Sequence, residues 1–310
     1  MPPYNYAMID TLMWFAFTVI VAVMLFIDLF ATSRRHQALS AKQALMWSLV
    51  WIGAALIFCA GIWVFEGHTK ALEFLTAYLL EKSLSVDNLF VFILIFSSFS
   101  IGPDRQALIL KWGILGAIVM RVVLILFGVS LMQAFSWVIY LFGAILVFTA
   151  VKMAFTDEQE MDVEKHLVVR LARKMFPVAA SNHGEKFFVV QDGRRAVTSL
   201  FLALLVVESS DLVFAVDSIP AVLAVSPHAF IAVTSNIFAI LGLRALYFLL
   251  ASVIGLFRFL KYGVALILMF VGVKMLIARW VHISIGVSLA FICATLALSV
   301  LLSLAKKESK

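Results

Sequence analysis

Nine runs of about 20 or more mostly apolar residues dominate this chain, at roughly 11–32, 42–65, 71–97, 107–130, 135–155, 197–224, 229–253, 257–278 and 282–304. A helix needs about 20 such residues to cross the hydrocarbon of a bilayer, so each run reads as a span. The 310-residue sequence is 64% hydrophobic and 14% charged, with a mean hydropathy of +1.08. A soluble domain is about 45–50% apolar and about 25% charged. The expected fold class is all-α, a polytopic membrane helix bundle of about nine helices. The first run has no basic residues ahead of it and no small-residue cleavage site, so it reads as a retained helix rather than a signal peptide.

The connections sort by charge. Arg34, Arg35 and Lys42 follow span 1, and Arg105 and Lys111 follow span 3. The long connection after span 5 carries Lys165, Arg170, Arg173, Lys174, Lys186, Arg194 and Arg195. Arg258 and Lys261 follow span 7, and Lys306, Lys307 and Lys310 close the chain. Alternate connections are nearly free of basic residues, which puts the N-terminus outside and the C-terminus in the cytoplasm. The net charge of +6 is a product of this bias and points to no nucleic acid. Cys59 and Cys293 lie in apolar runs with no metal-type spacing, and read as small core hydrophobes. Residues 156–196 leave the membrane: an acidic cluster from Asp157 to Glu164 is followed by a basic stretch, and Asp192-Gly193 between β-formers signals a hairpin. A short cytoplasmic helix and a two-stranded hairpin are expected there, with the acidic cluster as a solvated face.

The spans are not uniformly apolar. Glu208, Asp211 and Asp217 fall within Leu205–Pro220, and Glu81 and Asp87 within E-K-S-L-S-V-D-N. A charge at the middle of a membrane helix costs roughly 2.5–3.5 kcal/mol on insertion scales, so these side chains must face protein or water. The two stretches are also related. Glu81 and Asp87-Asn88 match Asp211 and Asp217-Ser218 at the same interval, Arg121 matches Arg244, and F-T-A-V-K-M matches F-V-G-V-K-M. The arginine-to-lysine interval is 31 residues in one copy and 30 in the other. Three matches in one order indicate duplication, and three spans per copy make the second copy inverted, an architecture recurrent in secondary transporters. The expected organisation is peripheral spans over 1–70, repeat A over 71–155, the cytoplasmic segment 156–196, repeat B over 197–280, and a last span with its tail over 281–310. Pro220 is expected to kink or unwind the sixth span just after Asp217.

At 100° per residue, Glu81, Ser85 and Asn88 share one helix face, Glu208, Asp211 and Ser218 share another, and Asp87 and Asp217 point elsewhere. On straight helices the five acids cannot all converge, and either unwinding gathers them or some pair with Lys82, Arg121 or Arg244. Five acids against three bases leave an excess of two negative charges, which suits a divalent cation or two protons. Carboxylate, Asn amide, Ser hydroxyl and carbonyl are hard oxygen donors for Mg²⁺, Ca²⁺ or Mn²⁺. The candidate metal residues are Glu81, Asp87, Asn88, Glu208, Asp211, Asp217 and Ser218, with Lys82, Arg121 and Arg244 as ion-pair partners. His36, His68, His166, His183, His228 and His282 all fall in loops or at span ends, which disfavours zinc and copper. Lys152 and Lys274 read as snorkelling to the interface, and Asp28 as interfacial.

At E-K-S-L-S-V-D-N-L-F-V-F (81–92) and V-E-S-S-D-L-V-F-A-V-D-S-I-P-A (207–221) the chain resembles the TerC family of integral membrane proteins. T-S-N-I-F-A-I-L-G-L-R-A-L-Y-F-L-L (234–250) is similar to the bacterial Alx branch of that family. The resemblance implies a manganese exporter of the cytoplasmic membrane, in a superfamily of small transporters that includes the amino-acid exporter LysE. It also brings an association with tellurite resistance and, in plant relatives, with thylakoid membrane assembly. The family's acidic positions match Glu81, Asp87, Glu208, Asp211 and Asp217, and Mn²⁺ among the hard cations is chosen by the resemblance alone.

The expected function is therefore a secondary transporter, not an enzyme and without a cofactor, that exchanges Mn²⁺ for protons. No G-x-x-x-x-G-K-[ST] loop occurs, so direct ATP drive is not expected. The competing reading is a membrane-protein assembly or stress factor whose acids hold the bundle together. An intramembrane aspartyl protease is a third, and the V-D-N and V-D-S contexts do not match the motifs of such enzymes.

Overall fold

The computed structural model describes residues 4–28, 38–155, 167–179, 184–191, 194–252, 259–281 and 283–305. Hydrocarbon offers no partner for backbone N–H and C=O groups, so apolar runs of this length satisfy them internally as helices. The helices are α1 (Tyr4–Phe26), α2 (Ala41–Glu66), α3 (His68–Ser98), α4 (Pro103–Ala134), α5 (Val138–Phe155), α6 (Leu167–Met175), α7 (Ser199–Val225), α8 (Ala229–Ile240), α9 (Leu243–Ser252), α10 (Leu260–Ile277) and α11 (Ile285–Ala305). Strands β1 (Phe188–Gln191) and β2 (Arg194–Val197) pair antiparallel between α6 and α7. The Asp192-Gly193 turn and the acidic cluster 157–164 lie outside the described residues.

Six helices (α2, α4, α5, α7, α10, α11) are long and apolar enough to cross a membrane, and the bent pair α8–α9 makes a seventh. Helices also occupy the other two expected positions. The described apolar part of α1 is Thr11–Phe26, and α3 is 31 residues long but interrupted by Lys70, Glu73, Glu81, Lys82 and Asp87. A count of nine spans is thus not established by length and composition. Large apolar side chains such as Ile57, Val64, Phe127 and Leu301 point outward, the surface a bilayer requires and water penalises.

Four helices form the centre. Taken in order, α3, α7, α4 and α8 each pack on the next, and α8 closes the ring on α3. Ser226, at the C-terminal end of α7, hydrogen-bonds Glu73 near the start of α3, so those two helices run oppositely. By contrast α3 and α8–α9 run the same way, because contacts climb together: Glu73 with Ser226, Lys82 with Ala239, Phe96 with Tyr247. Matching α3–α4–α5 to α7–α8/α9–α10 turns the α4–α7 contact into the α3–α8 contact, and both are extensive. Outside the ring, α5 and α10 make the most extensive helix pair, touching backbone to backbone where Gly143 meets Gly272. Small residues permit such close approach between membrane helices. An aromatic cluster of Trp14, Phe17, Phe58, Phe74, Phe230 and Phe238 seats α1 and α2 on α3 and α8.

The expected break after Asp217 is absent: α7 is helical from Ser199 through Pro220 to Val225. Pro220 is buried, and packing on neighbouring helices holds the helix through the hydrogen bond that proline cannot make. The break lies instead between α8 and α9, where the chain bends by 44°. Gly242 there has φ +78°, and a Cβ on it would strike the Trp51 ring. Gly242→Ala is expected to lower the melting temperature in detergent, by about 1–2 kcal/mol for the left-handed backbone and by more for the clash. Trp51→Ala is itself costly, about 3–5 kcal/mol, and the double variant should lose less than the sum of the two single changes, because the clash is gone.

Candidate functional site

The α7 face carrying Glu208, Asp211 and Ser218 turns towards α4, which meets it with Gly113, Gly116 and Ala117. From the middle of α4, Arg121 reaches into the four-helix ring. Its Nε donates to Asp211 Oδ2 at 3.2 Å and its Nη2 to Asp211 Oδ1 at 2.9 Å, a two-pronged pair. Its Nη1 donates to Ser218 Oγ at 3.4 Å and ion-pairs with Glu81 Oε1 of α3. Glu81 is 0% exposed, Arg121 2% and Asp211 5%. Charges so buried persist only when paired. One arginine therefore binds two carboxylates from two helices at the centre of the ring.

Glu208 sits one turn before Asp211 and is half-buried. Its carboxylate lies over Gly116, where any Cβ would collide with it, and with Asp211 and Phe92 it lines a small crevice. Glu81 and Asp211 pair with Arg121 and Glu208 lies beside Asp211, so this group holds three acids to one base, an excess of two negative charges when all are ionised.

The remaining predicted residues go elsewhere. Asp217 accepts a 2.7 Å hydrogen bond from Thr149 Oγ1 on α5, near Lys152, and so belongs to a separate polar pair. Asn88 is buried on α3, while the Asp87 side chain lies outside the described residues. Among the described residues Lys82 pairs with no acid of the cluster; its Nζ donates to the Ala239 carbonyl at 3.1 Å, beside the α8–α9 break. Arg244 is buried against Asp28, donating to its carbonyl at 3.4 Å and attracting its carboxyl. Asp28 is only 3% exposed and is a buried countercharge to Arg244. Lys274 donates to Ser288 Oγ at 2.8 Å and lines, with Glu73 and His68, a cleft of about 520 Å³.

The five acids therefore do not converge as a single set. Among the described residues, no three His, Cys, Asp or Glu side chains stand close enough to hold a metal ion. In this arrangement the guanidinium of Arg121 occupies the position between Glu81 and Asp211 where a cation would be most attracted. Sequence reasoning missed Thr149, Glu73 and Asp28. Thr149, one turn from Lys152 in an otherwise apolar helix, offered a weak signal; the other two gave none, because acids near helix ends read as interfacial.

Known proteins resemble the chain throughout. The profile of the family described as "Integral membrane protein TerC family" matches residues 66–310. The chain belongs to the TerC family. It is 47% identical over 301 residues to an Escherichia coli K12 protein named "Putative membrane-bound redox modulator Alx", with 94% of each chain covered. A Photorhabdus laumondii protein of the same name is 44% identical over 301 residues, again covering 94% of each. A Myxococcus xanthus protein, "Uncharacterized membrane protein STKORF319", is 44% identical over 296 residues, covering 96% of this chain and 93% of its own. No solved structure matches.

Arg121→Met leaves Glu81 and Asp211 buried without a countercharge. It is expected to destabilise the protein by about 3–5 kcal/mol, read as thermal melting in detergent. Adding Glu81→Gln and Asp211→Asn to the same chain should recover most of that loss.

Proposed function

We propose that this TerC-family protein is a secondary transporter that moves a hard divalent cation, manganese, out across the bacterial inner membrane. The observation that carries the reading is the excess of carboxylate over arginine in the ring: Glu81 and Asp211 on Arg121, with Glu208 beside Asp211. Arg121 holds Glu81 and Asp211, the better buried two of these three carboxylates. An incoming Mn²⁺ takes its place, and the guanidinium turns aside towards Ser218. The donors are hard oxygens, as Mn²⁺ requires. The choice of manganese rests on the resemblance to exporters in the family. Crowded carboxylates bind protons more tightly than isolated ones, so protons entering as the metal leaves would supply the drive. The antiparallel course of α3 and α7, and the exchange of α4–α7 for α3–α8, support two inverted repeats that rock about the ring. The basic connections put the N-terminus outside and the C-terminus in the cytoplasm. The relatives' name, redox modulator, fits a metal exporter as well as a thiol protein, and Cys59 and Cys293 here are both free thiols.

The test is Mn²⁺ flux in proteoliposomes under an imposed pH gradient. Wild type is expected to move Mn²⁺ and to acidify or alkalise the lumen in step, with Glu81→Gln and Asp211→Asn slowed by at least about tenfold, the usual scale for a lost liganding contact. Undiminished flux in Asp211→Asn, or none in wild type, would overturn the reading. A second reading has one observation in its favour: Arg121 already pairs with both carboxylates, as a structural lock would. If these charges serve only to hold a membrane-protein assembly or stress factor together, the Glu81→Gln, Arg121→Met, Asp211→Asn chain keeps its activity in cells.

A further inference from the structure

Three of the four ring helices bring a charged group to the centre: Glu81 from α3, Arg121 from α4, Asp211 from α7. The fourth, α8, brings Asn236. This side chain is 0% exposed, and neither its amide nitrogen nor its amide oxygen has a hydrogen-bond partner among the described residues. Two further buried polar atoms share that condition on the adjacent face of α3, the Tyr78 hydroxyl and Glu81 Oε2. Buried polar atoms without partners are rare in native proteins, and four on two packed helices call for a common cause.

Depth and direction both bring Asn236 to the centre. Helices α3 and α8 run the same way from the Glu73–Ser226 hydrogen bond. At 1.5 Å per residue, Glu81 lies roughly 12 Å beyond Glu73, and Asn236 roughly 10 Å into α8. The Lys82 bond to the Ala239 carbonyl fixes the same level independently. Phe230 and Phe238 mark the outer side of α8, since their rings meet Trp14, Phe17, Phe58 and Phe74. At 100° per residue, Asn236 is about 200° from Phe238 and about 240° from Phe230, on the opposite side of the helix. Besides α3, α8 packs on α4, the helix that carries Arg121.

We infer that the Asn236 side-chain oxygen is a ligand of the transported cation, acting with the Tyr78 hydroxyl beside Glu81. The inference rests on the transport reading above and adds two neutral donors to its carboxylates. Neutral oxygens suit a site that must release its ion. They complete the shell of a hard dication without deepening the negative well, and they need no countercharge when the ion has gone. An amide oxygen also coordinates hard cations while offering softer metals little.

The experiment uses the full chain in Mn²⁺-flux proteoliposomes, comparing wild type with Asn236→Leu, Asn236→Asp and Tyr78→Phe. Asn236→Leu is expected to raise the half-saturating Mn²⁺ concentration about tenfold or more, while its melting temperature holds or rises, because an unpaired buried amide is gone. Asn236→Asp should keep Mn²⁺ affinity within a few-fold, since it keeps an oxygen at the same atom, and Tyr78→Phe should lose several-fold. A purely structural asparagine predicts the reverse: a melting temperature that falls in both Asn236 variants and unchanged half-saturation in the folded protein. Asn236→Leu with wild-type half-saturation overturns the inference and leaves the transport reading standing. Wild-type vesicles that move no Mn²⁺ overturn both. If Asn236→Leu does not fold, loss of Mn²⁺ affinity in Asn236→Asp counts against the inference and its retention counts for it.

Discussion

A full charge inside hydrocarbon has to be answered by another charge, and in this protein the answer is Arg121. Its guanidinium spans from α4 to carboxylates on α3 and α7, the only planar cation in the fold that meets two acids on two helices among the described residues. Because a guanidinium presents several donors in one plane, it fixes the directions as well as the distances of its partners. The ring of α3, α7, α4 and α8 is organised about that plane. Glycines on α4 let α7 approach, and the Glu208 carboxylate fills the space over Gly116.

Much of this was legible in the residues. Apolar runs located the helices, and the 100° period separated Asp217 from Asp211 and Ser218, which is how they lie: two on Arg121, one on Thr149. The period could not say which helix each face would meet. Arg244 looked like a second clamp because it matched Arg121 in order and spacing, yet its neighbour is Asp28, two residues past the end of α1 and far away in sequence. Duplication copies positions, and partners supplied from outside the duplicated unit are not copied with them.

The misplaced break has a similar cause. Proline is the loudest signal in a helical sequence, and Pro220 drew the expectation of a kink. Its cost falls on one hydrogen bond, which a buried helix in a tightly packed bundle absorbs. Glycine in an apolar stretch is a quiet signal by comparison. Gly242 is decisive only because the Trp51 ring lies where a side chain would go, and that contact belongs to another helix. Asn236 escaped notice for want of charge, although an amide in the middle of an apolar segment is nearly as poorly tolerated as an acid.

The meeting of α5 and α10 has a mechanical consequence. At Gly143 and Gly272 the two main chains touch with nothing interposed, each glycine within reach of the other's carbonyl oxygen. Sliding one helix along the other would drive those oxygens into the opposing backbone. The joint therefore resists shear and holds the two helices in a fixed register, as a rivet does.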